Sequence, residues 1–446
     1  MYLAARSALC SEVGHALIVE GVMACRPHLE VNLVFERADD RFRVIVTDAP
    51  VRRPPPRTFE LPFAPFELDA LVARLDHRRR GVRRVTEPDA DTAREIGGRL
   101  FDAVFDRWLG ACLEASLAAA RASGAAGIRL RLQLADCPEL TALPWELLYD
   151  RHRDAYLALS VETPVTRSLG LDDDPVAASV GHQLRVLVVV ANPGGQETLD
   201  ADREWLAINE ALAPLTASGL VAVDRAPAGS LAAVARQLRR AEYHVLHYVG
   251  HGGRDRFRGQ GVLALEDPEH PDGPARLTTG RDLAVVLRDH RSLRLVVLNA
   301  CEGALDDASD DPFAGIAPVL ARAGIPAVIA MQFEVSDEAA VAFGGALYES
   351  LASGTALDVA VSDARKAVYA AHHTTEWAAP VLHLRGTPVG LFDREPVPAS
   401  TAPAPTPAAT GPDGGDLATT SGAATPQAPS KRRSPWRRRS LSDAGP

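Results

Sequence analysis

From Leu184 onward the chain repeats one pattern: a short run of β-branched residues and Leu ending at polar or glycine positions, then a stretch with apolar residues at every third or fourth place. RVLVVVAN (185–192), LVAVDRA (220–226), YHVLHYVGH (243–251), LRLVVLNAC (293–301) and IPAVIAMQ (325–332) read as strands. Amphipathic stretches at 199–215, 230–241, 280–288 and 313–323 read as the helices between them, and helices at 336–353 and 355–371 precede a last strand near 380–386. A strand buried on both sides has no polar face, so continuous apolar strands alternating with helices predict an α/β fold with a mainly parallel sheet and helices on both faces. This predicted sheet domain spans 180–393.

Upstream, the pattern differs. VNLVFERADDRFRVIVTD (31–48) sets two β-branched runs around Ala38-Asp39-Asp40 and predicts a hairpin. After RRPPPR (52–57), one helix is predicted near 66–79 and a longer one near 90–122, where Ile96, Leu100, Val104, Trp108, Cys112, Leu113 and Leu117 share a face. IRLRLQL (128–134) alternates strictly, as a half-buried strand does, and LPWELLYD (143–150) follows it. Trp145 is expected to fill the junction between this smaller α+β region (29–179) and the sheet, with Glu146 hydrogen-bonded to backbone there. Residues 1–28 read as an N-terminal extension, with initiation near Met23 an equal alternative. Glu12 and Glu20 interrupt its apolar stretch, so no secretory leader is expected.

Beyond Asp393 the composition collapses to Pro, Ala, Thr, Ser and Gly, which predicts a disordered tail over 394–446. Its basic end changes the charge picture. The chain carries −10 overall, but Lys431, Arg432, Arg433, Arg437, Arg438 and Arg439 outnumber Asp413, Asp416 and Asp443, so 396–446 is net +3 and the body −13. An acidic body lacks the cations that phosphate contacts need, so no nucleic acid is expected on the folded part. The simplest role for the tail is to keep the chain soluble, and binding of an acidic partner, a membrane surface or nucleic acid through KRRSPWRRR (431–439) is its alternative.

With 446 residues and 46% hydrophobic content, the chain can bury a full core. Every long apolar run is interrupted by charge, so no membrane span is expected. Cys10, Cys25, Cys112, Cys137 and Cys301 form an odd set without a CxxC pair or zinc-ligand spacing, which points to free thiols in a reducing, cytoplasmic setting. Neither Lys366 nor Lys431 lies in a GxxxxGK[ST] loop, and the turn ANPGGQ (191–196) lacks GxGxxG, so nucleotide-binding folds find no support.

Reactive groups in an open parallel sheet gather at the carboxyl ends of its strands. Two such ends carry usable chemistry. In HYVGHGG the strand is predicted to stop at Gly250 and present His251, and in VVLNACEG the next strand stops at Asn299 and presents Cys301. A thiol becomes a strong nucleophile once an imidazole takes its proton or stabilises the thiolate. Gly252 lets backbone approach a substrate carbonyl, and its N–H with that of Cys301 would serve a developing oxyanion. Taken singly, Cys301 reads as a small buried hydrophobe and His-Gly as an ordinary turn; the two together, each beside glycine, favour catalysis. His247 shares a face with Val245 and Val249 and reads as a core histidine, and His244 carries little signal.

The ordered set LPWELLYD (143–150), RVLVVVANP (185–193), HVLHYVGHGG (244–253), LVVLNACEGA (295–304), GIPAVIAMQFEVSD (324–337) and AVSDARKAVY (360–369) resembles the CHAT-domain family, bacterial relatives of caspases and separases. The resemblance runs over about 130–392 and weakly back to the hairpin. His251 and Cys301 lie 50 positions apart, about the separation seen in caspases. By position, the resemblance makes His251 the base, Cys301 the nucleophile, and the amides of Gly252 and Cys301 the oxyanion hole, in a caspase-like sheet that needs no metal or organic cofactor. Gly303 stands where the family often has Ser, which puts the geometry of that loop in doubt. Relatives that cut after basic residues use an acidic pocket, for which Glu302, Asp306, Asp307 and Asp337 are candidates, alongside Asp310, Asp311 and Glu334. Asp306 and Asp307 better suit a solvated charged loop, and Asp337 equally suits a helix cap. The resemblance implies a protein substrate and an effector role in bacterial defence or regulated cell death. With no repeat array or nucleotide switch in view, activation is expected from a separate sensor protein or from the tail. The alternative is a silent interaction scaffold, for which an intact His-Cys pair would have no chemical use.

Overall fold

Alternate residues of one central strand feed two separate cores: Val245 and Val249 enter one, Leu246 and Tyr248 the other. That is how a strand covered on both faces must read, and it organises the molecule around a single large sheet. The computed structural model describes residues 26–394 except 65, 76–86, 135–136, 171–177, 182, 195–200, 256–259, 271–272, 302–314, 334, 373–374 and 387–391. Contacts divide the chain into units 1–397 and 398–446, and the second lies wholly outside the described residues. So do most of the expected extension at 1–28 and, past Arg394, the expected tail.

The N-terminal half contributes β1 (His28–Ala38), β2 (Arg41–Asp48), β3 (Arg57–Phe59), helices α1 (Glu67–Leu75), α2 (Glu87–Val104) and α3 (Arg107–Ser123), β4 (Gly127–Gln133) and the short helix α4 (Pro138–Thr141). It continues with β5 (Tyr149–Asp150), β6 (Ala155–Tyr156), β7 (Val165–Ser168) and β8 (Ala178–Gly181). The second half runs β9 (Leu184–Val190), α5 (Ala201–Ala217), β10 (Val221–Arg225), α6 (Leu231–Arg240), β11 (Val245–Asp255), β12 (Gln260–Leu265), β13 (Arg276–Thr279) and α7 (Gly280–Leu287). It ends with β14 (Leu295–Cys301), α8 (Ile316–Arg322), β15 (Ala327–Met331), α9 (Asp337–Ala352), α10 (Leu357–His372), β16 (Pro380–Leu384) and β17 (Phe392–Arg394).

The main sheet orders its strands β10-β9-β11-β14-β15-β16-β7-β4-β1-β2-β3, with β12 and β13 branching from β11. Pairing is parallel from β10 to β15, antiparallel between β15 and β16, and parallel again through β7 and β4 to β1. The expected α/β class with a mainly parallel, doubly covered sheet therefore holds. The sheet also runs unbroken past position 180, where the sequence pattern changes. The hairpin forms as expected, with Asp39 at the turn in the left-handed region (φ 56°).

The long helix expected near 90–122 is two helices. Asp106 breaks it, accepting hydrogen bonds from the N–H groups of Trp108 and Leu109, both at 2.9 Å, and so caps α3. The break resets the helical phase: Leu109 is buried and Trp108 is 55% exposed, against the expected shared face.

The two halves of the sheet meet where β16 pairs with β7, at His383↔Arg167 and Leu384↔Ser168. Glu146 is fully buried behind this seam, and the Arg167 guanidinium grips it through Nη2 at 2.6 Å and Nε at 3.2 Å. Gln332 donates to the same carboxylate at 2.8 Å and accepts from Arg167 at 3.1 Å. Glu146 thus finds side-chain partners in addition to the expected backbone hydrogen bond. Burial opposes its charge, yet the Arg167 cation holds its carboxyl below the ordinary range. Trp145 sits alongside, its indole N–H donating to the Leu140 carbonyl at 2.7 Å and its ring 5.2 Å from that of Phe35. A second buried pair ties the N-terminal half to α10, with Arg129 donating to Asp358 at 2.5 Å and to Glu30 at 2.6 Å.

Candidate active site

Strands β11 and β14 lie side by side in unbroken parallel register, from Val245↔Leu295 through Gly250↔Ala300 to His251↔Cys301. Neighbouring strands are about 4.8 Å apart, so the His251 and Cys301 backbones are direct neighbours. Both residues lie within strands and not on loops beyond them. The expected stop at Gly250 does not occur, because residues Gly252 to Asp255 go on to pair antiparallel with Leu263 to Gln260 of β12. His251 therefore stands where β11 parts from β14 and takes a new partner, and β14 reaches Cys301, two residues past the expected end.

His251 is 2% exposed and its backbone is held from below. The Tyr248 hydroxyl donates to the His251 carbonyl at 2.8 Å and lies 3.1 Å from the Ala264 carbonyl of β12, bridging the branch point. Burial raises the Tyr248 pKa, which keeps the hydroxyl a donor. This tether needs Gly250: a Cβ there would fall 2.5 Å from the Tyr248 oxygen and 2.9 Å from the Ala191 carbonyl. Sequence reading missed Tyr248, although Tyr followed by Gly two places on, in HYVGHG, marks it. Tyr248→Phe removes the bridge and is expected to cost about 1–3 kcal/mol of stability in urea unfolding. If His251 is catalytic, the same change lowers kcat/KM roughly ten- to a hundredfold through loss of positioning.

His247 and His244 serve the core. His247 bonds the Tyr348 hydroxyl through Nδ1 at 2.9 Å, and burial lowers its pKa to about 4. His244 Nδ1 accepts the Arg185 N–H at 2.9 Å; burial, then Arg185 and Arg294, lowers its pKa to about 4.

Among the acidic candidates, Asp337 opens α9, but the cap expected of it falls to Ser336, whose Oγ accepts from the Ala339 N–H at 3.3 Å. Glu302, Asp306, Asp307, Asp310, Asp311 and Glu334 lie outside the described residues, as does Gly303. Gly252 is buried in its pairing with Leu263. Among the described residues no helix is long and apolar enough to cross a membrane, and no cluster of His, Cys, Asp or Glu could hold a metal ion.

A model of the CHAT domain matches residues 94–385. No curated protein matches the chain. Among solved structures it is similar to a chain of the Saccharomyces cerevisiae separase–securin complex, at 15% identity and TM-score 0.33 over 64% of this chain. It is also similar to the Arg-specific cysteine proteinase gingipain R, at 10% identity and TM-score 0.37 over 68% of each chain. It spans only 17% of the length of the former.

Proposed function

Because this chain belongs to the CHAT-domain family, we propose that it is a cysteine endopeptidase in which His251 and Cys301 form the catalytic dyad. The observation that carries this reading is the strand register that makes the two residues direct partners at one edge of the sheet. In the proposed cycle, the His251 imidazole takes the Cys301 thiol proton and the thiolate attacks the scissile carbonyl carbon. The N–H groups of Gly252 and Cys301 receive the oxyanion. The intermediate collapses as the C–N bond breaks, and the imidazolium gives its proton to the departing amine. Water, deprotonated by His251, then cleaves the thioester and releases the new carboxyl terminus. The substrate is a protein, and the reaction needs no cofactor. The role is that of an effector in bacterial defence or regulated cell death, acting in the cytoplasm and switched on by a sensor protein.

An iodoacetamide-type probe at neutral pH tests the dyad. Cys301 is expected to react well ahead of Cys112 and Cys137, which are both buried, with burial pushing the Cys112 thiol up. Peptide mapping by mass spectrometry reads the ratio. A Cys301 no faster than those two would favour the silent scaffold.

A further inference from the structure

Charge is sorted by face across the parallel half of the sheet. Helices α5 and α9 pack on the face that holds Val245 and Val249, and they carry six carboxylates against one arginine. Helices α6, α7 and α8 pack on the opposite face and lead into β11, β14 and β15. Over 231–244, 280–294 and 316–326, these helices and the turns after them carry eight arginines against three carboxylates, a net +5 within an acidic body. Most of that charge gathers at one edge. Strands β9, β11, β14 and β15 start level, with Val186, Val245, Leu295 and Ala327 side by side. Arg239 and Arg240 close α6, Arg322 closes α8, and Arg288, Arg291 and Arg294 lie between the end of α7 and the start of β14. Because α7 packs against both α6 and α8, the six form one rim about 20 Å long, two interhelix spacings. It lies at the other end of the strands from His251 and Cys301, about 20 Å away.

Helix dipoles favour cations at such helix ends, which accounts for some of them. Two observations go further. Among the described residues none of the six is in an ion pair, although Glu242 and Asp289 stand near them, whereas Arg37, Arg99 and Arg121 of the N-terminal half each meet a carboxylate. Arg294 is half-buried, its Nε has no hydrogen-bond partner among the described residues, and burial lowers its pKa, a cost that no neighbouring anion offsets. The second observation is apolar: Val285 is 62% exposed on α7, one turn before Arg288, a hydrophobic foothold within the cationic surface.

We propose that this rim docks an acidic, partly apolar segment of a partner protein. Guanidinium groups pair with carboxylates through two parallel hydrogen bonds, and six or seven extended residues span about 20 Å. An apolar side chain of the same segment covers Val285. Nucleic acid fits less well, since α6, α7 and α8 carry no aromatic ring on which a base could stack. Beyond the rim, the acidic body repels a long polyanion. The proposal is independent of the dyad, because docking at this edge leaves the edge with His251 and Cys301 uncovered.

Fluorescence anisotropy with the full chain and a labelled peptide repeating Glu-Leu-Glu over about twelve residues tests this. Binding is expected at about 50 mM salt and should weaken about tenfold or more by about 200 mM. Arg288→Glu combined with Arg291→Glu should weaken it about tenfold or more, and the neutral pair Arg288→Gln with Arg291→Gln less so, about threefold. Val285→Ser should cost about threefold. Arg52→Glu, an exposed site between β2 and β3 at the far end of the sheet, should change nothing. Arg288, Arg291 and Val285 are exposed, so urea midpoints of these variants should match wild type. No binding at low salt overturns the proposal. So does binding untouched by the reversals at Arg288 and Arg291, which would seat the peptide elsewhere, for example on the basic tail. Tighter binding of a single-stranded DNA of matched charge also overturns it and makes the rim a nucleic-acid surface.

Discussion

Replacing Cys301 by Ala is expected to reduce kcat/KM roughly 10⁴-fold or more, with the fold intact. Removing the nucleophile removes the covalent path, and oxyanion contacts and binding alone leave only residual catalysis. A side chain reduced to a methyl leaves the β14 backbone register with β11 undisturbed. The readout is cleavage of fluorogenic peptides, backed by self-cleavage or toxicity on expression beside wild type. Equal behaviour of the two chains would end the peptidase reading. Cys301→Ser is a useful companion, since a hydroxyl beside the same imidazole deprotonates far less readily and should also be crippled.

Acidification from pH 7 to pH 5 is expected to remove about 4 kcal/mol of stability through His247 and His383 alone. Both imidazoles are buried, and burial depresses them from the ordinary 6.5 to about 4 and about 3 respectively. As pH falls below 6.5 the unfolded chain takes up protons that the folded one refuses. Stability therefore declines through that window, by roughly 2 kcal/mol per histidine at pH 5, and levels only below the folded values. Glu146 acts in the same direction further down, because a depressed carboxyl gives up its contribution as pH drops through its folded value. Urea midpoints at pH 7, 6 and 5 measure the slope, and His247→Gln should flatten it by about a third, because His244, lowered to about 4, contributes alongside His383. Identical midpoints at pH 7 and 5 would show that these histidines are not buried neutral.

The parallel half of the sheet was legible because its signals are local. Each of the parallel strands β9, β10, β11, β14 and β15 contains an apolar run closed by polar or glycine positions, and each helix carries its own period. His251 and Cys301 were legible for the same reason, as polar residues at the ends of such runs. Long-range features were not. VTRS (165–168) has no apolar period, yet all four residues of β7 are buried because β4 and β16 enclose them. Arg129 looks like the polar face of an alternating strand but is 2% exposed, since Asp358, far along the chain, neutralises it. The β12–β13 branch went unread because nothing in GVLAL signals that β11 will continue past Gly252 to meet it. Asp106 was missed because periodicity survives a two-residue break closely enough to imitate one helix.

The chain order of the seam has a consequence for synthesis. Among the described residues β16 alone links β15 to β7 in the main sheet, and it emerges last of the three. Until residues 380–384 leave the ribosome, β7 and β15 each present an open edge of unmet backbone N–H and C=O groups. The nascent protein must carry one sticky border from residue 168 and a second from residue 331 until then, and any messenger cut short before that point yields a species primed to aggregate.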